Sequence, residues 1–199
     1  NAMKEINVKG TARAAFGKKA AREIRKANAV PCNLYGEAKD ENGAPVALPF
    51  TVTNDELRNL IYSPDIYAVN LNIDGKECKA ILKEIQFHPV KDNVLHVDFY
   101  EITDTKPIVM EVPIKLNGLA EGVKAGGRLA ASVRKLKVKA VYTNIPERLN
   151  IDVTSLGLGK TLQVGELHFE GLELVTSKEV VVCQVKMTRG ARSAASADN

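Results

Sequence analysis

Residues 85–99 read Ile85-Gln86-Phe87-His88-Pro89-Val90-Lys91-Asp92-Asn93-Val94-Leu95-His96-Val97-Asp98-Phe99, two alternating apolar and polar runs around a turn-forming centre. A period of two is the signature of a half-buried strand, so the stretch predicts a β-hairpin and a mainly β fold. Ile85 and Phe87 point one way, Gln86 and His88 the other; Leu95, Val97 and Phe99 share one side, His96, Asp98 and Tyr100 the opposite one. Folding about Lys91 sets Gln86 across from His96 and Glu84 across from Asp98, while Phe87 meets Leu95 and Ile85 meets Val97. One face is then a core, and the other is a compact array of amide, imidazole and carboxylate groups. The residues alone leave three readings of that polar face: a solvated sheet surface, a recognition surface, or a metal or acid-base site on His88, His96 and Asp98. The last needs a further ligand or a nucleophile, and nothing nearby is spaced to provide one.

Working outward, short β-type runs are broken by two helical pieces. Ile6 to Gly10 opens with alternation, and Lys18 to Ala27 is rich in Ala, Lys, Arg and Glu, which predicts a helix stopped at Asn28. Strands are expected at Val30 to Tyr35 and Leu48 to Val52, separated by the polar loop Lys39-Asp-Glu-Asn-Gly43. Thr53-Asn-Asp-Glu56 has capping-box spacing for a second helix to about Ile61, before Ser63-Pro64. Tyr67 to Ile73 alternates, and Asp74-Gly75 turns it into Lys79 to Phe87. A strand from Val94 to Glu101 ends a first domain, residues 3–102, with Thr103 to Pro107 as the boundary. The second domain, 103–187, is β-rich: Ile108 to Leu116, Lys135 to Tyr142, Leu149 to Val153, Leu172 to Thr176 and Val180 to Met187. Gly118 to Gly127, with four glycines, reads as a flexible loop, and the tail 188–199 as disordered.

Composition narrows the function classes. The chain has 199 residues, 45% hydrophobic and 26% charged, ordinary values for one large or two small globular domains. Asn1-Ala2-Met3 reads as a vector-derived scar ahead of a start at Met3, with no secretory signal order behind it. No apolar run approaches the roughly 20 residues of a spanning helix. Three scattered cysteines, Cys32, Cys78 and Cys183, argue against a disulfide framework or a zinc site, so a reducing cytoplasm is expected. Phosphate-loop chemistry fails at Thr154, which stands where the first glycine of a motif ending in Gly159-Lys160-Thr161 belongs. Enzyme motifs are absent, and neither a metal nor another cofactor is expected. The net charge of +4 is unevenly spread: Lys4 to Lys26 holds eight basic residues against Glu5 and Glu23, whereas Ala27 to Tyr100 holds six against eleven acidic ones. A second cationic stretch runs from Lys124 through Arg128, Arg134, Lys135 and Lys137 to Lys139. Clustered cations suit a polyanion, because they gain by releasing its counterions.

The run Gly17-Lys18-Lys19-Ala-Ala-Arg22-Glu-Ile-Arg25, then Val30-Pro31, Leu34-Tyr35-Gly36, Gln86-Phe-His88-Pro89 and His96-Val-Asp98-Phe99, resembles the bacterial large-subunit ribosomal protein L25 family. The whole chain resembles its long two-domain form, also called general stress protein Ctc. The resemblance implies a six-stranded N-terminal β-barrel with two helices that binds 5S rRNA at loop E, approached from the wide minor groove, followed by a C-terminal β domain. It implies a ribosome-associated, cytoplasmic structural protein. By matching positions it assigns Arg13, Lys18 and Arg22 to phosphate, adds Tyr35, and gives Gln86, His88, His96 and Asp98 to base edges and riboses; Lys19 and Arg25 extend the cationic set. Glu23 departs from the family pattern by replacing a frequent cation, and Cys32-Asn33 replaces small apolar residues. With no Trp and 5% aromatics, stacking is not expected to dominate. The rival class is a metal-dependent or acid-base enzyme; a third is a protein-interaction scaffold centred on the second domain.

Overall fold

A computed structural model describes residues 2–197 of the protein. They divide into two compact units, Met3–Lys106 and the chain from Pro107 onward together with Ala2. In the first unit the strands are β1 (Lys4–Ala12), β2 (Ala29–Lys39), β3 (Pro45–Thr53), β4 (Tyr67–Ile73), β5 (Lys76–Phe87) and β6 (Val94–Glu101). They form a closed barrel in the order β1-β3-β2-β6-β5-β4, in which the parallel pairing of Lys4 to Gly10 with Tyr67 to Ile73 joins the first strand to the last. Closure removes the free edges that an open six-stranded sheet would expose.

The barrel is filled by the inward residues of every strand. Val8, Val30, Cys32, Phe50, Val52, Val69, Leu71, Val97 and Phe99 are all at most 2% exposed, and the rings of Phe50 and Phe99 lie 5.8 Å apart at a tilt of 37°. Gly10 is required here: a Cβ on it would fall 2.7 Å from the Phe50 ring. Two helices attach to this frame. Helix α1 (Gly17–Lys26) half-buries Ala20, Ala21, Ile24 and Arg25 on one side and exposes Lys18, Lys19, Arg22 and Lys26 on the other, as the 3.6-residue period dictates. It stops where Asn28 turns left-handed, at φ 62°, a conformation asparagine tolerates. Helix α2 (Asn54–Ile61) is capped by Thr53, whose hydroxyl accepts from the Glu56 amide at 3.4 Å, and it buries Leu57 and Leu60.

The hairpin departs from simple alternation at two bulges, between Leu82 and Glu84 and between Gln86 and Phe87. Glu84 opposes Asp98, Ile85 opposes Val97 and Gln86 opposes His96, as expected. Phe87, however, pairs with Val94 rather than Leu95 and is 45% exposed. The physical reason is the extra residue at the bulge, which shifts the register by one and sends Val94 inward in its place.

The second unit holds a four-stranded sheet in the order β10-β7-β9-β12 and a three-stranded sheet in the order β11-β13-β8. Its strands are β7 (Ile108–Asn117), β8 (Arg128–Ala131), β9 (Lys135–Ala140), β10 (Leu149–Asp152), β11 (Thr161–Gln163), β12 (Glu173–Leu174) and β13 (Val181–Lys186). β8 and β11 were not legible in the sequence because each is short and lacks a β-branched alternating run. The glycine-rich stretch 118–127, expected to be a flexible loop, is packed. It carries a short helix α3 (Glu121–Lys124), and Gly122 is buried so closely that a Cβ would meet the backbone of Gly157 and Leu158 at 2.6 Å. The expectation of disorder from Thr188 onward is also corrected: helix α4 (Arg189–Ala197) forms, because Ala191 is buried beside Gly126 and the Thr188 hydroxyl donates to the Gly126 carbonyl at 2.6 Å. Residues 198 and 199 of that tail lie outside the described residues.

Candidate nucleic-acid interface

Because β2, β6 and β5 are neighbours in the barrel, their outward residues form one surface. Asn33 lies beside Asp98 and Tyr35 beside Tyr100 in the parallel β2–β6 pair, while His96 and Asp98 face Gln86 and Glu84 across the β6–β5 pair. The residues between them, Cys32, Leu34, Val97 and Phe99, are core. The face is thus built on a packed wall, which holds polar groups more rigidly than a loop does.

Its centre is electrostatically unsettled. Asp98 Oδ1 lies 3.3 Å from His96 Nδ1, with the two side chains only 19% and 22% exposed. The contact is close enough to matter when the imidazole is charged, but its geometry makes no hydrogen bond, and Oδ1 is buried without a hydrogen-bond partner. Arg13 Nε is buried without one as well. Both charges act on the thiol of Cys32, whose pKa is pushed up first by burial and then by Asp98, while Arg13 opposes the rise. Buried polar atoms of this kind are ordinarily met by water or by a polar ligand, which makes both groups candidates for contact with a polar partner.

The neighbouring groups have settled roles. His88 Nδ1 accepts from the amides of Val90 and Lys91 at 3.2 and 3.1 Å, so the ring ties the turn together and, when neutral, carries its proton on Nε2 as an outward donor. Arg13 sits over the exposed ring of Phe16 with Cζ 5.3 Å from its centroid. Arg25 does not stand free with the other cations of α1: its Nε donates to the Leu95 carbonyl at 3.0 Å and docks the helix on β6. Lys18, Lys19 and Arg22 stay exposed on the outer stripe of α1, without ion pairs among the described residues. Lys83 is a member of the site that sequence reasoning missed. Its Nζ lies 5.6 Å from the Tyr100 ring and 5.9 Å from that of Tyr35, and only the bulge that displaces it brings it there.

The sequence pattern of the Ribosomal L25p family matches residues 8–99, and that of the C-terminal domain of ribosomal protein TL5 matches residues 107–189. The chain is 67% identical over 193 residues to the large ribosomal subunit protein bL25 of Phocaeicola vulgatus, covering 97% of this chain and 98% of that one. It is 61% identical to the protein of the same name from Bacteroides thetaiotaomicron, with 98% of each chain covered. The chain belongs to the bL25 family.

In this bL25 chain the second cationic stretch does not survive folding as one patch. Lys135, Lys137 and Lys139 project from one face of β9, but β7 sets Glu111 opposite Lys137 and β12 sets Glu173 opposite Lys139. Cross-strand opposite charges of this kind belong to an ordinary solvated sheet. Among the described residues no group of three His, Cys, Asp or Glu is placed to hold a metal, and no helix is long and apolar enough to cross a membrane.

Proposed function

We propose that the chain is a structural component of the large ribosomal subunit whose first unit binds 5S rRNA at the loop E region. The cationic stripe of α1 neutralises phosphates, and the Asn33, Gln86, His96 and Asp98 face reads base edges and riboses. The observation that carries this reading is a rigid polar face on β2, β6 and β5, with Asp98 Oδ1 making no hydrogen bond within the protein, together with the exposed cations of α1. Distorted RNA helices expose base edges and 2′-hydroxyls in a wide minor groove, and a binder needs cations for the backbone and a few fixed groups for the edges. Family membership supports the assembly partner, since the relatives are large ribosomal subunit proteins. The enzymatic alternative on His88, His96 and Asp98 lapses, because the family is structural and His88 is committed to the turn.

The first unit acts as an RNA-binding domain in its own right, separate from a second domain that starts after the Thr103 to Pro107 segment. A fragment of residues 3–106 is expected to bind 5S rRNA with nearly the affinity of the full chain, measured by filter binding or fluorescence anisotropy. A folded fragment that bound no better to 5S rRNA than to an unrelated hairpin would defeat the assignment.

Phosphate contacts are read by salt. If Arg13, Lys18, Lys19, Arg22 and one further cation make about five, log affinity against log salt has a slope of roughly −4. K18A/R22A is expected to make it shallower by about 1 to 2 units. An unchanged slope would return the outer stripe of α1 to a solvated face.

A further inference from the structure

The second unit gathers cations that the sequence scatters. Three stretches free of Asp and Glu, 122–146, 153–165 and 180–197, supply β8, β11, β13, helix α4 and all of α3 but its first residue, Glu121. Arg128 is the register partner of Lys186 in the β8–β13 pair. Lys160 directly precedes β11, and its carbonyl accepts from the Val185 amide. Lys124 ends α3, two residues before Gly126, which receives Thr188 and Ala191 and so brings Arg189 and Arg192 to the same end of the sheet. All six cations are exposed, and none makes an ion pair among the described residues.

Two features of this cluster work against the stability of the free protein. Like charges directly opposite on neighbouring strands repel, as Arg128 and Lys186 do. Arg189 and Arg192 stand in the first half of α4, whose first turn has no acid, although the positive end of a helix favours anions. A bound anion relieves both. Between the cations Gly126, Gly127, Gly159 and Gly190 are small and Met187 is the large apolar side chain left exposed there, with no aromatic beside it, so a sugar-phosphate backbone can come close to the cations.

We propose that the Lys124, Arg128, Lys160, Lys186, Arg189 and Arg192 surface of the second unit binds the phosphate backbone of duplex RNA without reading its sequence. It is a contact separate from the polar face of the barrel. The test uses the full chain and a plain RNA duplex without internal loops. K124Q/R128Q/K160Q/K186Q is expected to make the salt slope shallower by roughly 3 to 4 units, at about 0.9 per phosphate. K115Q/K135Q/K137Q/K139Q, which removes the same charge from the neighbouring sheet, is expected to change it by less than about 1 unit. Equal changes in the two variants, or none in the first, would overturn the proposal. So would a first variant that loses binding to oligoglutamate but keeps the duplex, since the surface would then serve an acidic protein. In a second measurement, R128Q without RNA is expected to melt roughly 1 to 4 °C higher at low salt, with the gain vanishing at high salt. A lower melting temperature would remove the argument from repulsion. Preference for loop E RNA over plain duplex belongs to the barrel and is expected to be unchanged in all these variants, so the two readings fail separately.

Discussion

Asp98→Asn is expected to weaken binding to loop E RNA by about 10- to 100-fold, the equivalent of about 1 to 3 kcal/mol for one lost base-edge contact, and to change binding to plain duplex RNA far less. The carboxylate oxygen Oδ1 makes no hydrogen bond within the protein and has only the 3.3 Å contact with His96 Nδ1 beside it, so it is placed to accept from an RNA donor. Guanine amino groups and ribose hydroxyls are donors of that kind. The amide that replaces the carboxylate keeps the shape, loses the charge and trades one acceptor for a donor. The same change removes a half-buried charge whose near neighbour is His96, so the free variant is expected to lose little stability relative to the parent. Competition of loop E RNA against plain duplex, with thermal melts on the same samples, checks both halves. His96→Ala is expected to lose selectivity in the same direction, because it removes a polar group from the same face. If both variants are folded and lose affinity equally for the two RNAs, the face is not the reader.

Phe99→Ala is expected to cost about 3 to 5 kcal/mol of stability in the first unit, the range for deleting a fully buried aromatic ring. Phe99 is completely buried and packs against Phe50, and it sits between Asp98 and Tyr100, so the wall beneath the polar face would lose its filling. Phe87→Ala, by contrast, is expected to cost less than about 1 kcal/mol, because the ring is already 45% exposed. Denaturant melts of the two variants make the comparison. Simple alternation along the hairpin assigns the two rings the same burial, so similar losses would mean that the bulge at Gln86 and Phe87 does not exist in solution.

Much of the barrel was legible because its signals are local. Alternation over Tyr67 to Ile73, the left-handed stop at Asn28, the cap at Thr53 and the register from Glu84 to Gln86 each depend on residues close in the chain or on one short hairpin. The family motifs likewise lie in single runs. What the sequence could not show are features created by a one-residue shift or by distant partners. A bulge has no compositional signature, so alternation alone puts Phe87 inside and gives Lys83 no place on the polar face. Arg25 looked like its neighbours on α1 until β6 came close enough for the Leu95 carbonyl to accept from it. The glycines of 118–127 suggest freedom in one dimension and close packing in three, since the same missing Cβ permits both.

By itself the sequence determined that the protein is mainly β, that a cationic helix precedes an amide, imidazole and carboxylate array, and that the array lies on one side of a hairpin. Those properties follow from residue type and period alone. Only the tertiary structure decided which charges stand together. It divided the 124–139 cations, placing Glu111 and Glu173 across from two of the β9 lysines, and it gathered Lys124 and Arg128 with Lys160 and Lys186, from three stretches, at one end of the other sheet. It also left Asp98 and Arg13 with buried polar atoms that lack partners. The reason is physical: electrostatic energy depends on distance and burial through space, and a sequence orders charges only along the chain.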